Sequence, residues 1–441
     1  MPRRKKIEEP IEEVKKIKTP PLIRGMKDTL PGEQKYWRLI VETAEQVARD
    51  FSFSFIDTPV LGKYDLFAHT MGKNSELVRQ DVMWFLDKGE KLALRPDFTP
   101  SVARAYVDHS LFNQPAPNKF WYSGKIYSQG KVTGDKNREQ QQFGFEVYGE
   151  KSASVDSELV VMMYETLASL GLRPKVKVNS LGCLSCRGEY FKALSGFIKS
   201  KRSAVCAECR TEATKNPLRF LNCANPKCQK ILEDAPQVVD YLCADCHAHL
   251  FKFLETLDEL KIEYVLDGSL LKDVSYYTGT VYNIYNQKED GTLGSLLVEG
   301  GRFNYLTEML GGPNTPAAGI KFIVEKLMNE LREEKVEVPA GHAPHVYLAQ
   351  LSEQAKRRAL SFVSELRRED FRVVANFSKD NLKSQLDSAT KRGAKIVLIM
   401  GQREVVDGTV LMRDMDSGIQ EVVNIKKVIA EIKKKLREKI K

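Results

Sequence analysis

Segment 119–149, KFWYSGKIYSQGKVTGDKNREQQQFGFEVYG, constrains the fold of this chain more than any other stretch. Its two ends are rich in β-forming residues and flank a polar loop at 128–137, which predicts a hairpin. In the second strand Gln142, Gly144 and Glu146 alternate with apolar residues, and the period of two places these three on one face. An amide and a carboxylate with a glycine between them suit the floor of a site for a small cationic or amino-bearing ligand. An ordinary solvated hairpin face fits the segment equally well.

The cysteines are the second strong signal, because all eight lie between Cys183 and Cys246 in four closely spaced pairs. The N-terminal segment mixes both charge signs and has no apolar run of the secretory type, so we expect a cytoplasmic protein with metal-bound cysteines rather than disulfides. Each pair has metal-knuckle spacing, and eight thiolates suffice for two tetrahedral zinc sites. The predicted structural zinc ligands are Cys183, Cys186, Cys206, Cys209, Cys223, Cys228, Cys243 and Cys246.

The spacing alone does not say which cysteine pairs share an ion. The alternative to a metal is an insertion that folds on apolar contacts alone.

Length and composition set broad limits. At 441 residues with 42% hydrophobic content, the chain is long enough for two or three domains with real cores. No stretch approaches the roughly 18 apolar residues of a membrane span, so we expect no membrane partner. The net charge of +9 is compatible with a nucleic-acid partner but does not require one.

Changes of composition along the chain predict its organisation. We expect a charged tail at 1–20, a main domain at 21–330 that contains the cysteine-rich insertion at about 182–250, and a charged linker at 331–343. Residues 344–441 alternate between period-two and helical patterns, which predicts a separate α/β domain.

Several segments resemble the motifs of one family. The hairpin resembles motif 2 of the class II aminoacyl-tRNA synthetases, in the form that histidyl-tRNA synthetases have. Segments 23–31 (IRGMKDTLP), 94–99 (LRPDFT), 271–285 (LKDVSYYTGTVYNIY), 299–302 (EGGR) and 316–331 (PAAGIKFIVEKLMNEL) resemble further motifs of the same family. The resemblance runs from about residue 23 to the C-terminus.

The resemblance implies a fold and a function. The fold would be an antiparallel sheet flanked by helices, with a helical cysteine-rich insertion and a C-terminal α/β anticodon-binding domain. The activity would be ATP-dependent activation of histidine, with Mg²⁺, and its transfer to tRNA(His). Segment 53–61 corresponds to motif 1, which forms the dimer contact of the family, so a homodimer is also implied.

The resemblance also implies roles for individual residues. Those implied to bind histidine are Asp97, Thr99, Gln142, Glu146, Tyr276 and Tyr277. Those implied to bind ATP are Ser128, Lys136, Arg302 and Lys326. Lys272 and Lys326 stand at the positions of catalytic arginines.

Three departures affect the phosphate-binding groups. The family's motif 2 arginine is Ser128 here, and two other arginines are replaced by Lys272 and Lys326. Lysine keeps the charge but not the planar bidentate contact. Loss of one such donor typically costs about 3–4 kcal/mol in the transition state.

Two functions are therefore weighed. A divergent histidine–tRNA ligase is favoured by the complete domain architecture. The alternative is a catalytically degenerate paralogue that binds histidine or tRNA and regulates another protein. It is favoured by the replaced arginines and by the RPDFTP segment, which resembles the regulatory subunit of ATP phosphoribosyltransferase. A scaffold with an empty pocket is a third and more distant option.

Overall fold

In a computed structural model of the protein, the chain divides into two compact units, Met1–Val338 and Pro339–Lys441. The structure describes residues 19–73, 75, 78, 81–130, 137–212, 217–221, 223–272, 276–338, 343–378 and 381–438. Most of the tail predicted at 1–20 lies outside these residues. The predicted linker spans the division, although the helix before it continues to Glu333, three residues beyond the predicted end of the main domain.

The first unit contains eleven strands among its described residues. They are β1 (Ser54–Phe55), β2 (Leu61–Lys63), β3 (Trp84–Asp87), β4 (Glu90–Leu94), β5 (Asn118–Tyr127), β6 (Glu139–Tyr148), β7 (Pro174–Ser180), β8 (Tyr264–Leu266), β9 (Thr278–Gln287), β10 (Leu293–Arg302) and β11 (Ala317–Ile323). Eight of them form one sheet in the order β1-β5-β6-β11-β10-β9-β7-β8, and the other three form a small sheet in the order β2-β4-β3.

The predicted antiparallel sheet is confirmed for its six central strands, whereas the edge pairs β1–β5 and β7–β8 are parallel. The helices of this unit are α1 (Gln34–Asp50), α2 (Tyr64–Met71), α3 (Thr99–Asp108), α4 (Ala153–Ser169), α5 (Leu184–Ser200), α6 (Ala207–Glu212), α7 (Leu218–Leu221), α8 (Pro226–Leu232), α9 (Ala244–Glu259), α10 (Leu306–Met309) and α11 (Val324–Glu333).

Each face of the large sheet has its own apolar cluster. On β6, Phe143, Phe145 and Val147 join the cluster that α1, α4, α9 and α11 cover. The alternate residues face the other way, towards a second cluster that contains Phe98, Tyr122 and Tyr276. The predicted period of two is therefore realised, but both faces of β6 are buried. This burial rules out the solvated hairpin face.

The second unit has the α/β organisation that its sequence pattern predicts. Its strands are β12 (Val346–Gln350), β13 (Val373–Ala375), β14 (Ile396–Met400), β15 (Thr409–Asp414) and β16 (Gln420–Asn424), in the order β13-β12-β14-β15-β16. Its helices are α12 (Glu353–Arg368), α13 (Leu382–Lys391), α14 (Gln402–Asp407) and α15 (Val428–Glu438). Within the described parts of both units, every helix is too short or too polar to cross a membrane.

Candidate active site

The floor of the site is the pocket face of β6. Gln142 is 4% exposed and Glu146 is 1% exposed. Gly144 lies between them and pairs with Tyr122 on β5. A Cβ atom at Gly144 would lie 2.4 Å from the Tyr122 ring, so only glycine lets that ring lie against the floor.

The segment before α3 is tied to this floor. The backbone N–H of Phe98 donates to Gln142 Oε1 at 3.0 Å. This bond holds the flanking residues Asp97 and Thr99, each 3% exposed, over the strand. Asp97 Oδ2 accepts two hydrogen bonds of 2.7 Å, from the Tyr276 hydroxyl and from Lys321 Nζ.

Two buried carboxylate oxygens in this pocket lack a donor. Asp97 Oδ1 and Glu146 Oε1 have no hydrogen bond of normal geometry from any residue that the structure describes. Buried polar atoms are nearly always paired, so two such acceptors indicate that a donor-bearing ligand belongs here. An ammonium group or an imidazole N–H would satisfy them.

The ionisation of Glu146 is strongly perturbed. Burial raises the pKa of this carboxyl to about 7, against the opposing effect of the nearby Thr99 and Tyr148 hydroxyls. The Tyr148 hydroxyl donates to Glu146 Oε2 at 2.7 Å. Near neutral pH, Glu146 is thus able to accept a hydrogen bond or to donate one, which matches the two nitrogens of an imidazole.

Lysines occupy the neighbouring half of the pocket. Lys272 Nζ donates to Asn283 Oδ1 at 2.7 Å and lies 3.5 Å from Glu299 Oε2. Lys321 Nζ lies 3.8 Å from Glu299 Oε1. The Tyr277 ring centroid is 5.4 Å from Lys272 Nζ and 6.0 Å from Lys321 Nζ, within reach of a cation–π contact.

The pKa values of this half reflect close opposite charges. Partial desolvation by its neighbours would by itself raise the pKa of Glu299, but the ammonium groups of Lys272, Lys321 and Lys326 together lower it to about 2. Burial lowers the pKa of Lys272 to about 8, although Glu299 opposes this shift. The carboxylate of Glu299 therefore stays ionised among three ammonium groups.

The structure brings seven of the predicted site residues into one pocket. They are Asp97, Thr99, Gln142, Glu146, Lys272, Tyr276 and Tyr277. Lys326, in the first turn of α11, acts on Glu299 from the rim. Lys136 lies outside the described residues.

Two predicted ATP-binding residues have other partners. The hydroxyl of Ser128 accepts from the N–H of Gly130 at 3.2 Å, within its own turn. The guanidinium of Arg302 is 2% exposed, and its Nε donates to Asp156 Oδ2 at 2.8 Å. Its two remaining nitrogens donate to backbone carbonyls at 150 and 152, so Arg302 fastens β10 to the start of α4.

Sequence analysis did not single out Lys321 or assign a role to Glu299. Lys321 is an isolated lysine in an apolar strand, AAGIKFI, and is 8% exposed. A charge at such a position is costly unless it is paired, and that cost is the signal that could have identified it. Glu299 follows a similar apolar run in β10.

The structure also resolves how the cysteines group. Cys183, Cys186, Cys243 and Cys246 form one cluster, which we call the proximal cluster, because it joins the starts of α5 and α9 at the base of the insertion. Cys206, Cys209, Cys223 and Cys228 form the distal cluster. Within each cluster all Sγ atoms lie within 4.8 Å of one another.

The geometry of both clusters suits a tetrahedral metal ion. Zinc–sulfur bonds of about 2.3 Å require Sγ–Sγ separations of about 3.8 Å, and the Cys206–Cys223 separation is 3.9 Å. Backbone N–H groups donate to the thiolates, as from Cys243 to Cys186 Sγ at 3.1 Å. An apolar cluster around Tyr190, Leu194 and Phe220 also packs the insertion, so metal and apolar contacts coexist there.

Comparisons with known proteins identify the family. Residues 25–327 match the family model described as Histidyl-tRNA synthetase, and residues 345–435 match the model described as Anticodon binding domain. The chain is 34% identical to a histidine–tRNA ligase of Thermodesulfovibrio yellowstonii over 94% of this chain and 98% of the relative. It is 33% identical to a histidine–tRNA ligase of Clostridium botulinum over 93% of this chain and 98% of that relative.

A solved structure agrees with these sequence matches. The apo histidyl-tRNA synthetase of S. aureus superposes with a TM-score of 0.78 at 27% identity, over 94% of this chain and 100% of that one. A structure titled as an ATP phosphoribosyltransferase regulatory subunit/histidyl-tRNA synthetase from Bacillus halodurans has the same fold, with a TM-score of 0.60 at 22% identity. The chain belongs to the histidyl-tRNA synthetase family.

Proposed function

We propose that this protein is a histidine–tRNA ligase. The carboxylate of histidine attacks the α-phosphate of ATP, pyrophosphate leaves, and histidyl-adenylate forms. A ribose hydroxyl of tRNA(His) then takes the histidyl group and AMP is released. Relatives that carry this name match nearly the full length of the chain, and they do not favour the regulatory alternative.

The observation that carries the proposal is the pair of buried acceptors without donors, Asp97 Oδ1 and Glu146 Oε1. In the proposed complex, Asp97 and Thr99 bind the ammonium group of histidine. Glu146, Tyr276 and Tyr277 surround its imidazole, and Gln142 holds the 97–99 segment in place. A ligand with both an ammonium group and an imidazole satisfies both acceptors at once.

The cationic half of the pocket would bind the phosphates. Negative charge builds up on the α-phosphate in the transition state, and fixed cations stabilise it. Lys272 and Lys326 supply that charge in the proposal. Mg²⁺, held mainly by the triphosphate itself, would add to it.

The decisive experiment is histidine-dependent ATP–pyrophosphate exchange on the purified protein. We expect exchange above background, and a decrease of about 10²–10³-fold in the Lys326→Ala variant. Lys177→Met serves as the matched control, because it removes a lysine paired with Asp267 and is not part of the pocket. No exchange, together with histidine binding that Glu146→Ala abolishes, would instead support a histidine sensor.

The second unit would bind tRNA. Its match to an anticodon-binding model supports this role, as do the exposed basic residues Lys383, Lys391 and Arg392 on and beside α13. A tRNA substrate would place the protein in the cytoplasm. Phosphate contacts predict that tRNA affinity falls steeply as the salt concentration rises. Each lysine-to-glutamine change should make the slope of log affinity against log salt concentration shallower by a little less than one.

Both cysteine clusters would hold structural zinc. Four thiolates leave no open coordination position, so a catalytic role is not proposed. Metal analysis should find two zinc ions per chain. The Cys206→Ser variant should contain one zinc ion per chain. An unchanged zinc content in this variant would exclude the distal site.

The homodimer is proposed on the three-stranded sheet. Leu61, Trp84 and Leu86 on β2 and β3 are 47%, 44% and 68% exposed, an unusual amount of apolar surface for a free sheet. A second copy of the chain would cover it together with the neighbouring motif 1 segment, 53–61, where Phe55 and Val60 are 56% and 37% exposed. Leu86→Glu should yield a monomer in analytical ultracentrifugation, whereas a monomeric parent protein would exclude the dimer.

A further inference from the structure

Glu299 and Lys321 have no role in the mechanism described so far. Both lie in the cationic half of the pocket, which contains Lys272 and which we call the phosphate half. They are directly opposite each other across β10 and β11, and Asn283 on β9 is opposite Glu299 on the other side. Side chains opposite each other on neighbouring strands interact directly. Asn283 holds Lys272, so one transverse row of the sheet positions two lysines and one carboxylate.

The lysines and the carboxylate differ in their access to solvent. The side chains of Lys272 and Lys321 are 5% and 9% exposed, whereas that of Glu299 is 43% exposed. Glu299 makes ion-pair contacts of 3.5 and 3.8 Å with them, longer than a direct charge-assisted hydrogen bond. Of the three side chains, Glu299 is therefore the one with open space towards solvent, into which an incoming anion could displace it.

Removal of that carboxylate would leave the lysines short of negative charge. Lys321 would retain Asp97 at 2.7 Å, and Lys272 would retain only the neutral Asn283 among its near partners. Two buried cations with one remaining anion form a binding site for an incoming anion. Its chemistry suits a phosphate or a pyrophosphate group, because each lysine is a compact charge with several donors.

We propose that Glu299 is the resting counter-ion of an anion site formed by Lys272 and Lys321, and that a phosphate group of ATP displaces it. Lys321 is then a further cation of the adenylation site, which offsets in part the loss of the arginine at position 128. The identity of the anion as ATP rests on the proposed function. The displacement itself does not.

Titration calorimetry with inorganic pyrophosphate, without divalent metal, tests the displacement. Glu299→Gln keeps the shape of the side chain and removes the competing charge, so we expect about tenfold tighter pyrophosphate binding. Glu263→Gln is the matched control, since it removes the same charge from an ion pair with Lys175 at the far edge of the sheet. We expect this control to bind like the parent protein.

Lys321 is tested in the same assay. Lys321→Met should weaken pyrophosphate binding at least fivefold. In the double variant with Glu299→Gln part of the tenfold gain should be lost, because the carboxylate and the phosphate compete for the ammonium group of Lys321 as well as for that of Lys272. Thermal melts check the fold of each variant. If Glu299→Gln does not fold, Glu299→Ala, which removes the same charge, replaces it.

Two outcomes would overturn the inference. The first is pyrophosphate binding by the Glu299 variant that is no tighter than that of the Glu263→Gln control, including no detectable binding in either. The second is weaker binding of MgATP with unchanged binding of metal-free pyrophosphate, which would make Glu299 a metal ligand. Tighter pyrophosphate binding without ATP–pyrophosphate exchange would support the anion site and contradict the ligase proposal. Exchange activity without tighter pyrophosphate binding would support the ligase proposal and contradict the anion site.

Discussion

The two halves of the pocket differ in how their charges are balanced. In the half around Asp97 and Glu146, which we propose binds histidine and call the histidine half, two buried acceptors lack donors that a ligand would supply. In the phosphate half, Glu299 balances Lys272, and Lys321 is shared between Glu299 and Asp97 before any ligand arrives. The family's groups are largely kept in the first half and largely replaced in the second. Replacement of an arginine can thus be accompanied by a new local charge balance.

The largest effect that we expect is on the affinity for histidine, and it distinguishes the two halves of the pocket. Glu146→Ala removes a buried acceptor and should weaken histidine binding by at least about 10²-fold, which corresponds to about 3 kcal/mol. MgATP binding should change less than twofold, because Glu146 does not contact the lysines of the phosphate half. Calorimetry with each ligand measures both. Equal losses of histidine and MgATP affinity would show that the pocket is one coupled unit.

A smaller effect concerns pH. The pKa of Lys272 is lowered to about 8, so its ammonium group is present below that pH and is lost as the pH rises through it. We expect kcat/KM for exchange to fall about five- to sixfold between pH 8 and pH 9. Lys272→Arg, whose charge persists, should remove this alkaline limb. The groups near pH 7, Glu146 and the imidazole of histidine, act on the acid limb. An unchanged alkaline limb in the arginine variant would assign it to another group.

The third test compares the two cysteine clusters, and the expected effect is about fivefold in the KM for histidine. Arg187 lies on α5, which starts at the proximal cluster, and it donates a hydrogen bond to the backbone carbonyl of Tyr277. Cys183→Ser should therefore raise the KM for histidine about fivefold. Cys206→Ser in the distal cluster should leave it within twofold. Equal effects of the two variants would exclude a specific link between the proximal cluster and the pocket.

The smallest effect expected is a gain. Lys326→Arg restores the planar guanidinium at the rim of the phosphate half, and we expect a two- to threefold higher exchange rate with an unchanged KM for histidine. Steady-state exchange kinetics measure both values. A decrease would mean that Lys326 fits its altered surroundings better than arginine does.

The sequence predicted much of the fold and much of the histidine half. The period of two in β6 depends only on backbone geometry, so Gln142 and Glu146 could be placed on one face without coordinates. The cysteine spacing predicted metal knuckles for a similar local reason. Arg302 was implied to bind ATP, but its partner Asp156 lies 146 positions away, and no local pattern indicates such a pairing.

Local order follows from the sequence alone: the strand alternation, the helical periods, the cysteine pairs and the family motifs. Which distant residues meet depends on how the whole chain packs. Lys321 contacts Asp97 across 224 positions, and the proximal cluster joins pairs more than 50 positions apart. The registers of β11 with β6 and β10 place Lys321 opposite Gly144 and Glu299, and register depends on the packing of the whole sheet.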